Sequence, residues 1–363
     1  MGLQEKIREI EEEMKRTQIN KATEFHLGQL KAKLSKYKHE LISPHRMSAG
    51  KRSGGFDMKK SGDATVAIIG MPSVGKSTLL NRITNAESKT AAYAFTTLKC
   101  IPGIMEYNKA KIQILDLPGI IEGAKDGKGR GREVIGVARS ADLVLIMLEA
   151  TNAEKEYHII LRELYGFGIR LNTKPPEIII KKKLRGGLTM NATVKLTKIT
   201  ARQVQAVLGE YGMHNADIVF RTDADVDEFI DAVEGNRVYM PSIIVVNKID
   251  LVGGKLLKKP SFDYMPISAE KDFNMQLVKD AIYRKLDFIN IYTKRRGEKA
   301  DIEEPMILRR GVNIGDVCEK LHRDLRKEFR YAIVWGKSVK HSAQRVGFDH
   351  VLADGDILYI VKK

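Results

Sequence analysis

Cysteine is scarce in this chain, which has only Cys100 and Cys318 among its 363 residues. The two lie far apart and lack the short spacing of zinc ligands, so the sequence supports neither a disulfide framework nor a zinc site. Long apolar runs are missing as well, and no stretch approaches the roughly 18 residues that a membrane-spanning helix needs. The first residues, MGLQEKIREIEEEMKR, are charged throughout and are not typical of a signal peptide. We therefore expect a cytoplasmic protein with no membrane partner.

Charge, by contrast, is abundant and unbalanced. The length predicts two to four domains, and the hydrophobic content of 43% is ample for their cores. The net charge of +16 favours an anionic partner larger than one nucleotide. Residues 1–62 hold 14 Lys and Arg against 8 Asp and Glu, and residues 288–363 hold 16 against 11. Solvated charge without a partner is the alternative interpretation of these basic ends.

Residues 65–77 read TVAIIGMPSVGKS, an apolar strand pattern that continues into the G-x-x-x-x-G-K-S signature of a phosphate-binding loop. Two glycines allow the tight turn that points successive N–H groups at a polyphosphate. The lysine adds a positive charge toward the β- and γ-phosphates, and the serine hydroxyl is placed for Mg²⁺. A glycine-rich turn between strand and helix is the alternative. The residues predicted to contact nucleotide here are Gly70, Pro72, Ser73, Val74, Gly75, Lys76, Ser77 and Thr78.

A second motif, KIQILDLPG, covers residues 111–119. Its apolar strand delivers Asp116 at the carboxyl end, which is where ligands bind in open α/β sheets. We predict that Asp116 holds Mg²⁺, through water, and that Gly119 offers its N–H to a γ-phosphate. Taken alone, Asp-Leu-Pro-Gly is often only a turn.

Two further motifs indicate that the base is guanine. SIIVVNKID brings Asn247, Lys248 and Asp250 out of a strand, and the Asp250 carboxylate can accept hydrogen bonds from the guanine N1–H and amino group. Adenine lacks this pair of donors, so such a site rejects it. YMPISAE places Ser268, Ala269 and Glu270 after the next strand, where backbone N–H groups can meet the guanine O6. Each pattern is weak alone, but all four occur in order after apolar strands, which predicts binding of GTP and GDP.

The fold class predicted is α/β, with a nucleotide-binding domain whose sheet is mostly parallel. The turn at Asn108-Lys109 joins two strands and therefore predicts one antiparallel strand. We expect strands at 64–70, 99–107, 111–116, 142–148, 242–247 and 264–267. The predicted boundaries are 1–45 for a basic helical hairpin, 46–62 for a flexible linker, 63–170 and 237–287 for the nucleotide-binding domain, 171–236 for an inserted α+β subdomain and 288–363 for a β-grasp-like domain.

Within the insert, EIIIKKKL and LTMNATVKL flank Arg185-Gly186-Gly187, which predicts a β-hairpin. The C-terminal unit has a ββαββ pattern with a helix over 314–326. The N-terminal hairpin is compatible with an RNA-binding arm, a dimerisation arm or a packing arm. Trp335 and Phe348 lie near basic residues, so we consider a base-stacking surface and, as the alternative, a core Trp beside a solvated loop.

The four motifs resemble those of translation-factor-class P-loop GTPases. The segment AAYAFTTLKCIPGIMEYNKAKIQILDLPGIIEGAKDGKGRGREVIGVARSADL is similar to the developmentally regulated GTP-binding proteins, in the Obg-related branch. The resemblance covers nearly the whole chain and implies that the C-terminal unit is a TGS domain. It also implies that Thr97 is the first switch threonine, which coordinates Mg²⁺ and senses the γ-phosphate, and that residues 119–136 form the second switch. The family is associated with ribosomes and with a stabilising protein partner.

Hydrolysis needs a positioned water, which a glutamine after the DxxG motif orients in Ras-type enzymes. Ile120 stands in that place here and cannot bond a water through its side chain. We assign catalytic roles to Lys76, Thr97 and Gly119 and expect slow intrinsic GTP hydrolysis. The resemblance implies stimulation by K⁺, although Ser73 stands where potassium-activated relatives often have asparagine. Arg130 and Arg132 are either charge stabilisers or solvated arginines.

The sequence therefore predicts a GTP-hydrolysing switch that acts on ribosomes or structured RNA, with Mg²⁺ as cofactor. The alternative is an RNA- or protein-binding scaffold that holds GTP as a structural ligand with little turnover. Ile120 keeps that alternative open.

Overall fold

The computed structural model describes residues 2–42, 62–84, 101–118, 131–253, 260–294, 300, 303 and 305–362. Five predicted functional residues lie outside these ranges or have side chains that do: Thr97, Gly119, Ile120, Arg130 and Arg132. Most of the predicted linker 46–62 lies outside them too. Within the described ranges, no helix is long and apolar enough to cross a bilayer.

A six-stranded sheet forms the centre of the nucleotide-binding domain, which we call the G domain. The strands are β1 (Ala64–Gly70), β2 (Ile101–Tyr107), β3 (Ala110–Asp116), β4 (Leu143–Glu149), β10 (Ser242–Asn247) and β11 (Met265–Pro266). Their spatial order is β11-β10-β4-β1-β3-β2, and β2 alone in this sheet runs antiparallel to its neighbour. The predicted antiparallel strand is confirmed.

Helices cover both faces of this sheet, which is why β1 is buried along its whole length. The helices of the G domain are α3 (Lys76–Ile83), α4 (Gly131–Ser140), α5 (Ala153–Gly166) and α8 (Met275–Leu286). Successive β1 residues point to opposite faces. Ile68 packs in the cluster that α3 and α8 complete, and Ile69 packs in the cluster that α4 and α5 complete. The parallel strands therefore bring their carboxyl ends to one edge.

The insert is connected to the G domain through a short parallel pair, β5 (Ile169–Leu171) and β9 (Val238–Met240). Between them lie β6 (Ile178–Lys182), β7 (Leu188–Ala192), α6 (Ala201–Glu210), β8 (Ala216–Phe220) and α7 (Val226–Glu234). The predicted hairpin of β6 with β7 is wrong, because β8 lies between them and pairs with both. The reason is burial: alternate residues of β8 are fully buried under α6 and α7, whereas β6 and β7 are more exposed.

The N-terminal hairpin consists of α1 (Leu3–Arg16) and α2 (Glu24–Ile42). Ala32 of α2 is fully buried in the core of the insert. Lys31 Nζ lies 2.7 Å from Asp227 Oδ2, and the Ser35 hydroxyl donates a 2.7 Å bond to Glu234 Oε1. Of the roles left open by the sequence, the structure shows packing of α2 against the insert.

The C-terminal domain has a five-stranded sheet in the order β13-β12-β16-β14-β15, with β12 parallel to β16. Its elements are β12 (Phe288–Thr293), β13 (Met306–Arg309), α9 (Ile314–Leu321), α10 (Arg323–Glu328), β14 (Phe329–Trp335), β15 (Gln344–Val346) and β16 (Ile357–Lys362). The single helix predicted over 314–326 is two helices that meet at His322. Sequence reasoning missed β15, a strand of three residues without a continuous apolar pattern.

The C-terminal domain packs against the edge of the G domain opposite the carboxyl ends of the strands. Ile307 belongs to the apolar cluster of the G domain, and it is 3% exposed. Arg309 lies 3.3 Å from Asp142, and Lys320 lies 3.1 Å from Asp63. The C-terminal domain and the nucleotide motifs therefore lie at opposite ends of the strands of the G-domain sheet.

Candidate nucleotide-binding site

The phosphate-binding loop connects β1 to α3 in a strained, tightly packed path. Gly75 has a φ of +98°, and Ser73 also has a positive φ, of 63°. A Cβ on Gly70 would come within 2.4 Å of the Met147 carbonyl oxygen. Only glycine fits at Gly70 and Gly75, so these two motif positions are fixed by the backbone path itself.

Lys76 lies across this loop. Its Nζ donates hydrogen bonds to the Met71 carbonyl oxygen at 2.8 Å and the Gly70 carbonyl oxygen at 3.2 Å. The residue is 8% exposed, and burial lowers the pKa of its ammonium against the opposing charges of Asp116 and Glu156. A buried cation with only carbonyl partners in its loop is suited to an anionic ligand.

Ser77 and Asp116 lie side by side at the same edge of the sheet. The Ser77 hydroxyl donates a 2.5 Å hydrogen bond to Asp116 Oδ2. Burial raises the pKa of the Asp116 carboxyl, while the Ser77 bond and the Lys76 charge oppose that shift. A hydroxyl and a carboxylate oxygen are hard ligands of the type that Mg²⁺ prefers. The structure thus brings together two of the side chains predicted to hold Mg²⁺, and their binding of the ion stays a prediction.

Asn247, at the end of β10, links two loops of the site. Its Nδ2 donates a 2.8 Å bond to the Val74 carbonyl oxygen in the phosphate-binding loop. Its Oδ1 accepts a 2.9 Å bond from the Ala269 N–H in the loop after β11. Asn247 is 3% exposed, so both bonds are shielded from water. One side chain at the end of β10 thus fixes the phosphate-binding loop relative to the loop after β11, residues 268–270, which we call the base loop.

Lys248 and Asp250 follow Asn247 in a turn. Lys248 has a φ of 61°, and its Nζ lies 3.3 Å from Glu149 Oε1 at the end of β4. A hydrogen bond from Ser268 and the ammonium of Lys271, whose Nζ is 3.1 Å from Asp250 Oδ2, lower the pKa of the Asp250 carboxyl. Asp250 is therefore an ionised acceptor at neutral pH, which guanine recognition requires.

The base loop carries the Ser268-Ala269-Glu270 motif. Ser268 and Phe273 exchange backbone hydrogen bonds of 3.3 and 3.0 Å, which close the loop at its base. On its outer side, the Arg82 guanidinium donates to the carbonyl oxygens of Ala269 (3.2 Å) and Glu270 (3.1 Å). Arg82 comes from the last turn of α3, the helix that starts in the phosphate-binding loop.

Sequence reasoning missed Arg82, Glu149 and Glu156. Glu156 accepts a 2.9 Å hydrogen bond from the Glu149 N–H, and burial raises the pKa of its carboxyl. The only sequence feature that marks Glu149 is its position at the end of an apolar strand. Arg82 lies beyond the G-x-x-x-x-G-K-S motif, and no feature of that motif marks it.

Two predictions concern sites other than the nucleotide site. Cys318 is buried, and among the residues that the structure describes no three His, Cys, Asp or Glu side chains are grouped to hold a metal. Trp335 is half-buried with Lys294 Nζ 4.1 Å from its ring centroid, and Phe348 contacts Phe329 and Arg326. Both aromatic rings thus have intramolecular partners within the C-terminal domain.

Three family models match the chain in succession. A 50S ribosome-binding GTPase model matches residues 65–182, a model described as the C-terminal region of that domain matches 185–288, and a TGS domain model matches 289–362. These matches agree with the predicted α/β GTPase fold and its TGS-like C-terminal domain.

Whole-chain relatives agree as well. The chain is 52% identical to the developmentally-regulated GTP-binding protein 1 homolog of Dictyostelium discoideum, and the match covers all of both chains. It is 50% identical to developmentally-regulated GTP-binding protein 2 of Homo sapiens, again over the full length of both. An uncharacterized GTP-binding protein of Methanocaldococcus jannaschii is 53% identical, over all of this chain and 94% of that protein. These full-length matches agree with the G-domain fold, with the motif residues that the fold brings together at one end of the sheet, and with the TGS domain. This chain therefore belongs to the developmentally regulated GTP-binding protein family of P-loop GTPases.

Proposed function

We propose that this GTPase selects guanine nucleotides with the assembled loops at the carboxyl edge of its sheet and acts as a switch on ribosomes or structured RNA. The observation that carries the proposal is Asn247, whose two buried hydrogen bonds join the phosphate loop to the base loop. A nucleotide that spans both loops meets phosphate donors at one end and the Asp250 carboxylate at the other. Calorimetry with GTP, GDP and ATP tests this: equal affinity for ATP contradicts it.

In this proposal, each residue has a separate role. Backbone N–H groups of the loop from Gly70 to Thr78, except Pro72, which has no N–H, bind the phosphates together with the Lys76 ammonium. Ser77, Thr97 and Asp116 hold Mg²⁺, whose charge neutralises the phosphate oxygens. Thr97 and Gly119 sense the γ-phosphate, so that two switch loops order with GTP and relax after hydrolysis. The base contacts are Asn247, Lys248, Asp250, Ser268, Ala269 and Glu270.

Turnover is slow in this proposal because Ile120 replaces the water-positioning glutamine. K⁺ or a bound partner then supplies the missing stabilisation of transition-state charge. Single-turnover rates in K⁺ and in Na⁺ at equal ionic strength test the cation. Equal rates reject it and leave stimulation to a partner.

The proposed partners are the ribosome or structured RNA and a stabilising regulatory protein. Support comes from the basic ends of the chain and from the match to a ribosome-binding GTPase model over residues 65–182. We assign these roles to the predicted segments: the hairpin 1–45, the linker 46–62, the G domain 63–170 with 237–287, the insert 171–236 and the TGS-like domain 288–363. Co-sedimentation with ribosomes, with a GTP analogue and with GDP, tests the ribosome as a partner. If the protein is missing from the ribosomal pellet with both nucleotides, this partner is wrong.

A second candidate is a scaffold that retains GTP as a structural ligand. Ile120 is the observation that favours it, because the side chain offers no hydrogen bond to a water. Multiple-turnover phosphate release with and without ribosomes separates the two functions. A switch turns over faster on its ribosome, whereas a scaffold shows the same negligible rate in both.

A further inference from the structure

Arg82 is an exposed arginine whose guanidinium is nevertheless fixed. It donates from Nε to the Ala269 carbonyl oxygen at 3.2 Å and from the terminal Nη2 to the Glu270 carbonyl oxygen at 3.1 Å. Among the described residues, no carboxylate oxygen lies within ion-pair distance of it. The two hydrogen bonds therefore fix the guanidinium of Arg82, and they also fix the orientation of the two carbonyl groups.

Holding a carbonyl also fixes the N–H of the same peptide. Because the peptide unit is planar and trans, its C=O and N–H point in opposite directions. With the Ala269 and Glu270 carbonyls turned toward Arg82, the N–H groups of Glu270 and Lys271 point to the other side of the loop.

That other side faces the guanine-selecting carboxylate. The Lys271 N–H lies 3.3 Å from Ser268 Oγ, and Lys271 Nζ lies 3.1 Å from Asp250 Oδ2. The Ala269 N–H is engaged by Asn247 Oδ1 at 2.9 Å. The Glu270 N–H is thus the donor that the loop leaves available on its Asp250 side within the described contacts.

We propose that Arg82 is a positioning residue for guanine recognition, which fixes the base loop so that the Glu270 N–H meets the O6 atom of the base. The inference rests on the proposed function, because it requires guanine to occupy the site beside Asp250. An arginine suits the task because its planar fork can reach two carbonyl oxygens together, whereas a lysine ammonium is a single point donor.

The test compares Arg82→Ala with the unaltered full-length chain by calorimetry, using GDP, inosine diphosphate and 6-thio-GDP. GDP and inosine diphosphate both carry O6, so Arg82→Ala should weaken each by about 3- to 30-fold. Sulfur is a poor hydrogen-bond acceptor, so the same substitution should weaken 6-thio-GDP by a much smaller factor. Arg82→Lys should recover only part of the GDP affinity.

Unchanged GDP affinity in Arg82→Ala would overturn the inference, as would an equal loss for all three nucleotides, which indicates a general loosening of the fold. Arg162→Ala is the matched control, because Arg162 is an exposed arginine of the same domain. Among the described contacts, its side chain makes no hydrogen bond. Thermal unfolding of each variant checks that the fold is retained.

Asp250→Asn separates this inference from the proposed function. If Asp250→Asn weakens GDP and Arg82→Ala does not, the positioning role fails and the guanine site stands. If both variants bind GDP as the unaltered chain does, the guanine site itself is wrong.

Discussion

The side-chain amide of Asn247 donates a 2.8 Å hydrogen bond to the carbonyl oxygen of Val74, 173 residues earlier in the chain. Val74 is fully buried, and it belongs to the loop that the phosphates are proposed to contact. The loop proposed to select the base and the loop proposed to bind the phosphates are therefore connected through one buried side chain.

Asn247→Ala removes the partner of two backbone groups, the Val74 carbonyl and the Ala269 N–H. Leaving both unpaired in a buried site costs about 2–4 kcal/mol of stability. Because the two loops also lose the side chain that holds them together, we expect the affinity for nucleotide to fall by about 30-fold, or about 2 kcal/mol. Calorimetric titration with GDP measures it. Asn191→Ala, at an exposed position of the insert, is the control, and equal affinity for GDP in Asn247→Ala and the control variant would contradict the linkage.

Gly75→Ala should abolish tight nucleotide binding for two additive reasons. A side chain at φ +98° is strained by about 1–3 kcal/mol, and its Cβ would lie 2.5 Å from Asn247 Nδ2. Gly253→Ala isolates the first reason, because Gly253 has a φ of +70° and nothing within 4 Å of its ideal Cβ. We expect Gly253→Ala to lower the melting temperature modestly and to retain GDP binding. Loss of binding in both variants would mean that strain alone is responsible.

Asp231→Ala should strongly destabilise the junction between the insert and the G domain. Asp231 is 6% exposed and receives hydrogen bonds of 2.7 and 2.8 Å from Arg170 and one of 2.7 Å from Arg237. Removing one member of a buried ionic group costs about 3–5 kcal/mol, because the remaining charges lose their partner. Urea denaturation measures the change. Glu328→Ala, which breaks an exposed pair with Lys362, should cost less than about 1 kcal/mol.

Tyr211 should make the stability depend on pH in the alkaline range. Burial, followed by the hydrogen bond to Glu234, raises the pKa of the Tyr211 hydroxyl. Since the folded state keeps the proton more tightly than the unfolded state, this contribution is fully present below about pH 10 and falls as the pH rises above it. Tyr211→Phe should cost about 1–2 kcal/mol at pH 8, from the lost hydrogen bond.

The cost of Tyr211→Phe should therefore shrink between pH 10 and pH 11, because only the unaltered chain loses stability through this tyrosine. Urea denaturation of both chains at pH 8 and above pH 10 checks the difference. A cost that is constant with pH would show that the hydroxyl titrates as it does in the unfolded chain, and a cost that grows would show that folding lowers its pKa; either result contradicts the prediction.

Much of the G domain was predictable because its signals are local. The apolar strand that ends at Gly70 and the G-x-x-x-x-G-K-S residues that begin there place the phosphate loop. Two other apolar strands end in a polar residue, and this pattern places Asp116 and Asn247. Parallel strands with buried faces bring their carboxyl ends to one edge, so the sequence predicts that these residues meet. Arg82 had no such signal, because its role depends on two backbone carbonyls 187 and 188 residues away.

The hairpin of the insert shows where local signals fail. Arg185-Gly186-Gly187 has the composition of a tight turn, and the two segments around it are strands, but they do not pair. Their partner is β8, which is distant in sequence and places Ala216, Ile218 and Phe220 under the helices. Burial of β8 decided which strands pair. The residues of the turn between β6 and β7 carry no information about that burial.

The sequence by itself determined the six strands of the G-domain sheet, the four nucleotide motifs and the basic ends of the chain, since periodicity, glycine geometry and charge act over a few residues. Tertiary structure decided the strand order of the insert, the packing of α2 on that insert and the anchoring of the base loop by Arg82. These features depend on which distant surfaces exclude water together and which carbonyls come within reach of a guanidinium, and both are settled only when the chain is folded.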